Sequence, residues 1–115
     1  MKFVFMNDKE RYNHILRHYD ELVAEYTKFK DECDLQLKES LWKKCVYMDL
    51  FQIGEHFNKF SKPLQAKINA KDVRGIVDIR NKIGHAYFSV DPDIIEYAIE
   101  IECPRLIAKL KELFE

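Results

Sequence analysis

Apolar residues recur at helical spacing along most of this chain, and few residues in the sequence interrupt them. The 115 residues include only three glycines and three prolines, the two residue types that most often break regular structure. Apolar residues spaced three and four apart form a stripe along one face of an α-helix. The sequence therefore predicts an all-α fold built from long helices.

The first two helices are expected on either side of a charged connection at residues 30–36. Asn7 with Glu10 resembles a capping box, which satisfies free backbone N–H groups at a helix start. The stripe of the first helix comprises Tyr12, Ile15, Leu16, Tyr19, Leu22, Val23 and Tyr26. The second helix, from about Leu37 to Phe60, is apolar on two sides, so we expect it to contact both the core and a partner subunit. Its two tracks comprise Leu41, Cys45 and Met48, and Trp42, Val46, Leu50, Ile53, Phe57 and Phe60.

Two further helices are expected after Pro63. Asp72 is the predicted N-cap of the third, and Asp91 followed by Pro92 opens the fourth. Pro104 is expected to kink the fourth helix, because its ring removes one backbone hydrogen bond. The predicted inward-facing residues are Val73, Ile76, Val77, Ile79 and Ile83, and then Ile94, Ile95, Ala98, Ile101, Leu106, Ile107, Leu110 and Leu113. Short connections favour an antiparallel up-and-down bundle of four to five helices.

Composition excludes several classes of protein. The length suits a single domain spanning residues 1–115,. A net charge of −1 gives no general attraction to nucleic acid,, so an RNA site requires a local positive cluster, which a homodimer doubles. No apolar run is long enough to span a membrane, and no signal-peptide pattern is present. Three widely spaced cysteines without a CxxC motif suit free thiols in a reducing cytoplasm,.

The segment RNKIGHAY, from Arg80 to Tyr87, concentrates the chemically active side chains. Arg80 can bind phosphate through a planar fork of donors, and His85 can exchange a proton near neutral pH. Asn81 and His85 are four apart and share a helix face, whereas Arg80 and His85 are five apart. Either the helix loosens at Gly84, which lacks a Cβ, or the two side chains act across an interface. On composition alone, the same residues also describe a polar helix end capped by Gly84.

The order of these residues, Arg-Asn with His five and Tyr seven positions after the Arg, resembles the signature of the HEPN superfamily. Within it, the sequence is similar to the HepT-like toxins, which work beside a minimal nucleotidyltransferase (MNT) antitoxin. The likeness extends to Ile53-Gly54-Glu55 upstream and to Tyr87–Asp91 downstream, and covers roughly residues 8 to 114. The resemblance implies a HEPN-like bundle and a metal-independent endoribonuclease toxin.

Cleavage of RNA by its own 2′-hydroxyl requires a proton acceptor, a proton donor for the leaving oxygen, and positive charge at the phosphate. His85 fits the proton transfers, Arg80 fits the phosphate charge, and Asn81 would fix the imidazole or the sugar. One chain offers one such histidine, so two subunits sharing a cleft would supply acid and base together. The resemblance implies that the antitoxin adds AMP to Tyr87, which otherwise holds the phosphate or a base. The added group would repel RNA phosphates.

Several alternatives stay open in the sequence. Gly54 inside the second helix costs about 1 kcal/mol of helix propensity and indicates a close helix crossing. Glu55 is either a solvated charge or, as the resemblance implies, a group that holds Arg80. Asp78 either pairs with Arg74 at the surface or orients Arg80. For the whole chain, the alternative function is a non-catalytic partner that holds a nucleotide or substrate for a nucleotidyltransferase.

Neither a metal site nor a cofactor is expected. His14 and His18 are four apart, as metal-binding pairs often are, but no carboxylate or third ligand at matching spacing completes a site. We therefore expect that the RNA cleavage implied by the resemblance needs no metal ion.

Overall fold

The computed structural model describes residues 6–86 and 90–115. Its helices are α1 (Asp8–Phe29), α2 (Leu35–Asn58), a short α3 (Lys62–Gln65), α4 (Ala70–Ala86), α5 (Pro92–Tyr97), a π-helical turn (Ala98–Glu102) and α6 (Cys103–Phe114). These described ranges contain no β-strand, which confirms the predicted all-α bundle. Within the same ranges, no helix combines the length and the apolar character needed to cross a membrane.

Helix α2 lies between α1 and α4. Along the α1–α2 contact, Arg11 meets His56 and His18 meets Asp49, so residue numbers rise in one helix as they fall in the other. These two helices are therefore antiparallel, as a five-residue connection favours. Helices α2 and α4 are antiparallel as well, because Gly54 lies against Ile76 whereas the earlier residue Phe51 lies against the later residue Gly84.

The core is formed mainly by the predicted stripes. Its buried members include Tyr12, Ile15, Leu22 and Tyr26 of α1, Trp42, Val46, Leu50, Ile53 and Phe57 of α2, Ile76, Ile79 and Ile83 of α4, and Ile95, Ala98, Leu106, Ile107 and Leu110 of the last helices. Burial of each large apolar side chain contributes about 1.5–3 kcal/mol. Val23 and Ile101, predicted to face inward, are exposed. Val23 directly follows buried Leu22 in α1, and one residue along the helix is enough to turn its side chain out of the buried face,.

Pro104 disturbs the last helix. The disturbance takes the form of a π-helical turn, Ala98–Glu102, just before the proline. Proline has no N–H, and its ring crowds the carbonyl four residues earlier, here that of Glu100. In the wider turn, the Cys103 N–H bonds to the Ala98 carbonyl five residues back. The turn also changes the helical register, because it holds more residues than an α-turn. Ile101 consequently lies outside the core.

The predicted N-cap of α4 is wrong by three residues. The helix begins at Ala70, and Asn69 is the capping side chain. Its Oδ1 accepts the N–H groups of Lys71 at 2.9 Å and Asp72 at 3.3 Å. Asn caps helices about as well as Asp, so a cap by Asn69 begins the helix three residues earlier than predicted.

Candidate active site

Helices α2 and α4 cross at Gly54 with almost no space between them. A Cβ at this position would lie 2.6 Å from the Cβ of Arg80 and 2.8 Å from the carbonyl oxygen of Ile76. Any side chain at Gly54 would force the helices apart, which confirms the predicted helix crossing. The close approach places the start of the Arg80 side chain directly against α2.

Arg80 is held on three sides at this crossing. Its Nε donates to Glu55 Oε2 at 2.6 Å, and its Nη1 donates to Asn81 Oδ1 at 2.7 Å. The guanidinium carbon lies 5.1 Å from the centre of the Phe51 ring, within the range of a cation–π contact. The expected contact between Glu55 and Arg80 is therefore present.

Glu55 is shared by two cations. Its second oxygen, Oε1, lies 2.9 Å from Lys59 Nζ, one helical turn further along α2. Hydrogen bonds from Lys59 and from Arg80 hold the pKa of Glu55 below its usual value, although partial burial acts in the opposite direction. Glu55 therefore stays ionised as an anchor for Arg80.

The anchored guanidinium keeps unused hydrogen-bonding capacity. An arginine has five N–H donors, and Glu55 and Asn81 each take one of them. Among the described residues, the other three donors of Arg80 have no partner, and the side chain is 26% exposed. A fixed, partly exposed guanidinium with free donors suits an anion with several oxygens, such as a phosphate.

His85 lies on the same helix but on another face. Helix α4 continues without interruption to Ala86, so the helix does not loosen at Gly84. Five residues on a regular α-helix correspond to a rotation of about 140°, which separates His85 from Arg80. His85 is exposed, and no hydrogen bond joins it to Asn81 in the described part of the chain. The predicted action of the two groups across an interface remains a prediction.

Asp78 lies on α4 two residues before Arg80. The two residues are two apart, so they point to different sides of α4, and Asp78 is exposed. Within the described residues, Asp78 forms no ion pair with Arg80 or with Arg74. Glu55 of the neighbouring helix occupies the position beside the guanidinium, and a role for Asp78 stays a prediction.

A shallow pocket of about 380 Å³ is lined in part by Phe51, the ring that contacts Arg80. It is lined by Lys43, Lys44, Met48, Phe51, Ile83 and Gly84. Its walls are mainly apolar, with two lysines at one side, and Met48 is 60% exposed. The site thus has a local excess of positive charge that the net charge of the chain does not reveal.

Tyr87, predicted to contact the substrate and to be modified, lies outside the described residues. Near Arg80 and His85, no three His, Cys, Asp or Glu side chains of the described ranges come together as metal ligands would. One such group exists elsewhere, around His18. Asp49 of the neighbouring helix lies against His18 in this group, whereas His14 is not a member of it.

A family model described as "Ribonuclease HepT-like" matches residues 15–113. The chain belongs to the HepT-like ribonuclease family. No solved structure was found to match it. The matched range contains Glu55, the complete RNKIGHAY segment and the helices that carry them.

Two side chains of this HepT-like site were missed in the sequence. Lys59 is four residues after Glu55, a spacing that predicts an ion pair on one helix face. Phe51 is four residues before Glu55 and so shares that face, but an aromatic residue in an apolar stripe is usually part of the core. Only the position of Arg80 on the opposing helix identifies Phe51 as part of the site.

Proposed function

We propose that this HepT-like chain is a metal-independent endoribonuclease, the toxin of a HEPN/MNT toxin–antitoxin pair, and that it cleaves RNA with Arg80 and His85. The observation that carries the proposal is the anchoring of Arg80. Its guanidinium is fixed by Glu55 and Asn81 while three N–H donors stay free among the described residues. A preorganised cation is what the charged transition state of phosphate cleavage requires.

The reaction follows from these groups. The 2′-oxygen of the RNA attacks the adjacent phosphorus, and His85 accepts the 2′-hydroxyl proton. As the new P–O2′ bond forms, the bond between phosphorus and the 5′-oxygen breaks. A second imidazole, in its protonated form, donates a proton to that leaving oxygen. Arg80 stabilises the negative charge on the non-bridging oxygens, and the products are a 2′,3′-cyclic phosphate and a free 5′-hydroxyl.

A second subunit supplies the second imidazole. Within one chain, Arg80 and His85 point to different faces of the uninterrupted helix α4,. Two copies that pair their α2–α4 faces bring two arginines and two histidines into one cleft. The exposed Met48 and the neighbouring apolar pocket provide surface for this homodimer, and Lys43 and Lys44 at its edge suit an RNA backbone.

The antitoxin proposed for this toxin is an MNT-type nucleotidyltransferase that attaches AMP to Tyr87. Tyr87 follows His85 by two residues in the sequence, so an added nucleotide would lie close to the proposed cleft. Its phosphate adds negative charge where the RNA phosphate has to bind, and this excludes the substrate.

Cleavage of a fluorescent RNA by the purified chain in excess EDTA tests the proposal. We expect cleavage without added metal, and a loss of at least about a hundredfold in Arg80→Ala and His85→Ala, since each removes a main catalytic contribution. Arg74→Ala and His14→Ala are matched controls, because Arg74 is exposed, His14 is half-buried on α1, and both lie outside the site. They should retain full activity.

The opposite result favours the alternative function. If the chain cleaves no RNA but binds ATP or AMP in a manner that Arg80→Ala abolishes, it is a nucleotide-binding partner of a nucleotidyltransferase. Activity that disappears in EDTA and returns with Mg²⁺ or Mn²⁺ would contradict the metal-independent chemistry.

A further inference from the structure

His18 and Glu21 of α1 face Asp49 of α2, away from the RNKIGHAY segment. His18 Nδ1 lies 2.9 Å from Asp49 Oδ1 and 3.9 Å from Glu21 Oε2. The three potential ligand atoms all lie within 4.8 Å of one another. Two neighbouring helices therefore bring one imidazole and two carboxylates to a single point.

Burial of the Asp49 carboxylate costs free energy, because a charged group loses its contact with water. Asp49 is 7% exposed, and it is one of two buried polar or charged residues in the described ranges. Two close carboxylates, one of them buried, are stabilised by a positive charge between them.

Among the described residues, His18 pairs with both carboxylates, whereas the two nearby arginines do not. Arg11 Nη1 lies 3.3 Å from His56 Nδ1, and Arg17 Nη2 lies 2.6 Å from His14 Nδ1. Because arginine only donates, both imidazole nitrogens accept. The two arginines thus bind imidazoles, and the two rings stack 5.3 Å apart.

We infer that His18, Glu21 and Asp49 form a binding site for a divalent transition-metal ion, for which Zn²⁺ is the probe. An imidazole nitrogen with carboxylate oxygens is a donor set that zinc accepts, and the imidazole disfavours Mg²⁺ and Ca²⁺. Two bonds of about 2.1 Å at a tetrahedral angle place ligand atoms about 3.4 Å apart. This value lies between the two distances from His18 Nδ1, 2.9 Å and 3.9 Å.

The ion would link α1 to α2 at the middle of their contact. Zinc replaces the proton on His18 Nδ1, which leaves to solvent, and bonds to one oxygen of each carboxylate. With three protein ligands, a water completes the coordination. The site is structural and separate from the proposed RNA cleft, so its occupancy stabilises the fold and leaves cleavage unchanged.

Isothermal titration of the full-length, tag-free chain with ZnCl₂ tests this site. The titration uses a Cys33→Ser background, because Cys33 is an exposed thiol that can bind zinc by itself. We expect one Zn²⁺ per chain, a higher melting temperature with zinc, and a cobalt complex with visible absorption. Asp49→Asn, His18→Gln and Glu21→Gln should each weaken zinc binding by at least about tenfold and abolish the shift in melting temperature.

Two variants keep the test decisive. Glu21 is exposed, so Glu21→Gln cannot fail by unfolding the core, and circular dichroism in EDTA checks the others. His14→Gln is the matched control, since His14 neighbours the group without belonging to it, and it should bind as the parent does. The inference is overturned if zinc causes no heat and no thermal shift, if Glu21→Gln and Asp49→Asn bind normally, or if His14→Gln alone loses binding.

Discussion

Glu55 and Arg80 form an ion pair from α2 to α4, with Glu55 Oε2 2.6 Å from Arg80 Nε. The pair lies beside Gly54, where a side chain would collide with Arg80 Cβ. The close crossing brings the two side chains together, and the ion pair then fixes the direction of the guanidinium. The backbone approach and the position of Arg80 are therefore one structural feature.

Replacement of Glu55 by Gln should lower RNA cleavage by about tenfold or more with little change in stability. Gln keeps the size of the side chain but removes the charge that orients Arg80, and a charged hydrogen bond is about twice as strong as a neutral one. Lys59→Ala is the control, because Lys59 binds the other oxygen of Glu55 and is 53% exposed. Equal losses in both variants would argue against an orienting role for Glu55.

Gly54→Ala should destabilise the fold by about 1–3 kcal/mol, the usual cost of adding a methyl group where no space exists. The added Cβ meets a backbone oxygen and the first carbon of Arg80, neither of which can move away easily. Gly84→Ala is the control, since among the described residues its Cβ would meet Phe51 Cε2 alone, at 3.3 Å, and alanine favours a helix by about 1 kcal/mol. Urea denaturation measures both. A Gly54→Ala protein as stable as its parent would mean that the crossing is looser.

The chain should be a homodimer at micromolar concentration, measured by light scattering after size-exclusion chromatography. Met48 is 60% exposed beside the apolar pocket at the site, so Met48→Glu should place a charge in the interface and yield monomers. Val23 on α1 is also exposed, and Val23→Glu should leave the dimer intact. A monomer mass for the unmodified chain would argue strongly against a cleft shared by two subunits.

Most of the fold can be predicted from the sequence because burial follows periodicity. Leu50, Ile53 and Phe57 recur at three and four residues, and all three are buried. The prediction for Ile101 is wrong, because periodicity assumes a uniform α-helix and the π-helical turn before Pro104 changes the register. Such a turn depends on how the helix avoids the proline ring, which residue types alone do not specify.

The candidate site is less predictable, because its contacts join distant parts of the chain. Gly54 indicates a helix crossing because glycine lowers helix propensity and is kept where backbones approach closely. The residue that it meets, Arg80, is known only from the packing of α4 against α2. The approach of Asp49 to His18 is a long-range contact of the same kind. Local spacing finds candidates, whereas the packing of helices decides which of them meet.

Co-expression with a cognate nucleotidyltransferase should add one or more AMP units to Tyr87, as intact-mass measurement and peptide mapping would show. Tyr87→Phe should stay toxic, fully or in part, and escape enzymatic neutralisation. Tyr97→Phe is the control, since Tyr97 is an exposed tyrosine outside the motif, and it should still be neutralised. A silenced toxin with unmodified Tyr87 would mean that the partner acts by binding alone.

The most direct test of the shared cleft is RNA cleavage in EDTA by mixed dimers. Wild-type chain is unfolded and refolded with an increasing excess of His85→Ala chain, so that wild-type subunits come to pair mainly with the variant. If acid and base come from two subunits, cleavage per wild-type subunit falls towards zero, while an excess of His14→Ala chain leaves it unchanged. Cleavage per wild-type subunit that stays constant with excess His85→Ala chain would contradict a catalytic cleft built from two copies.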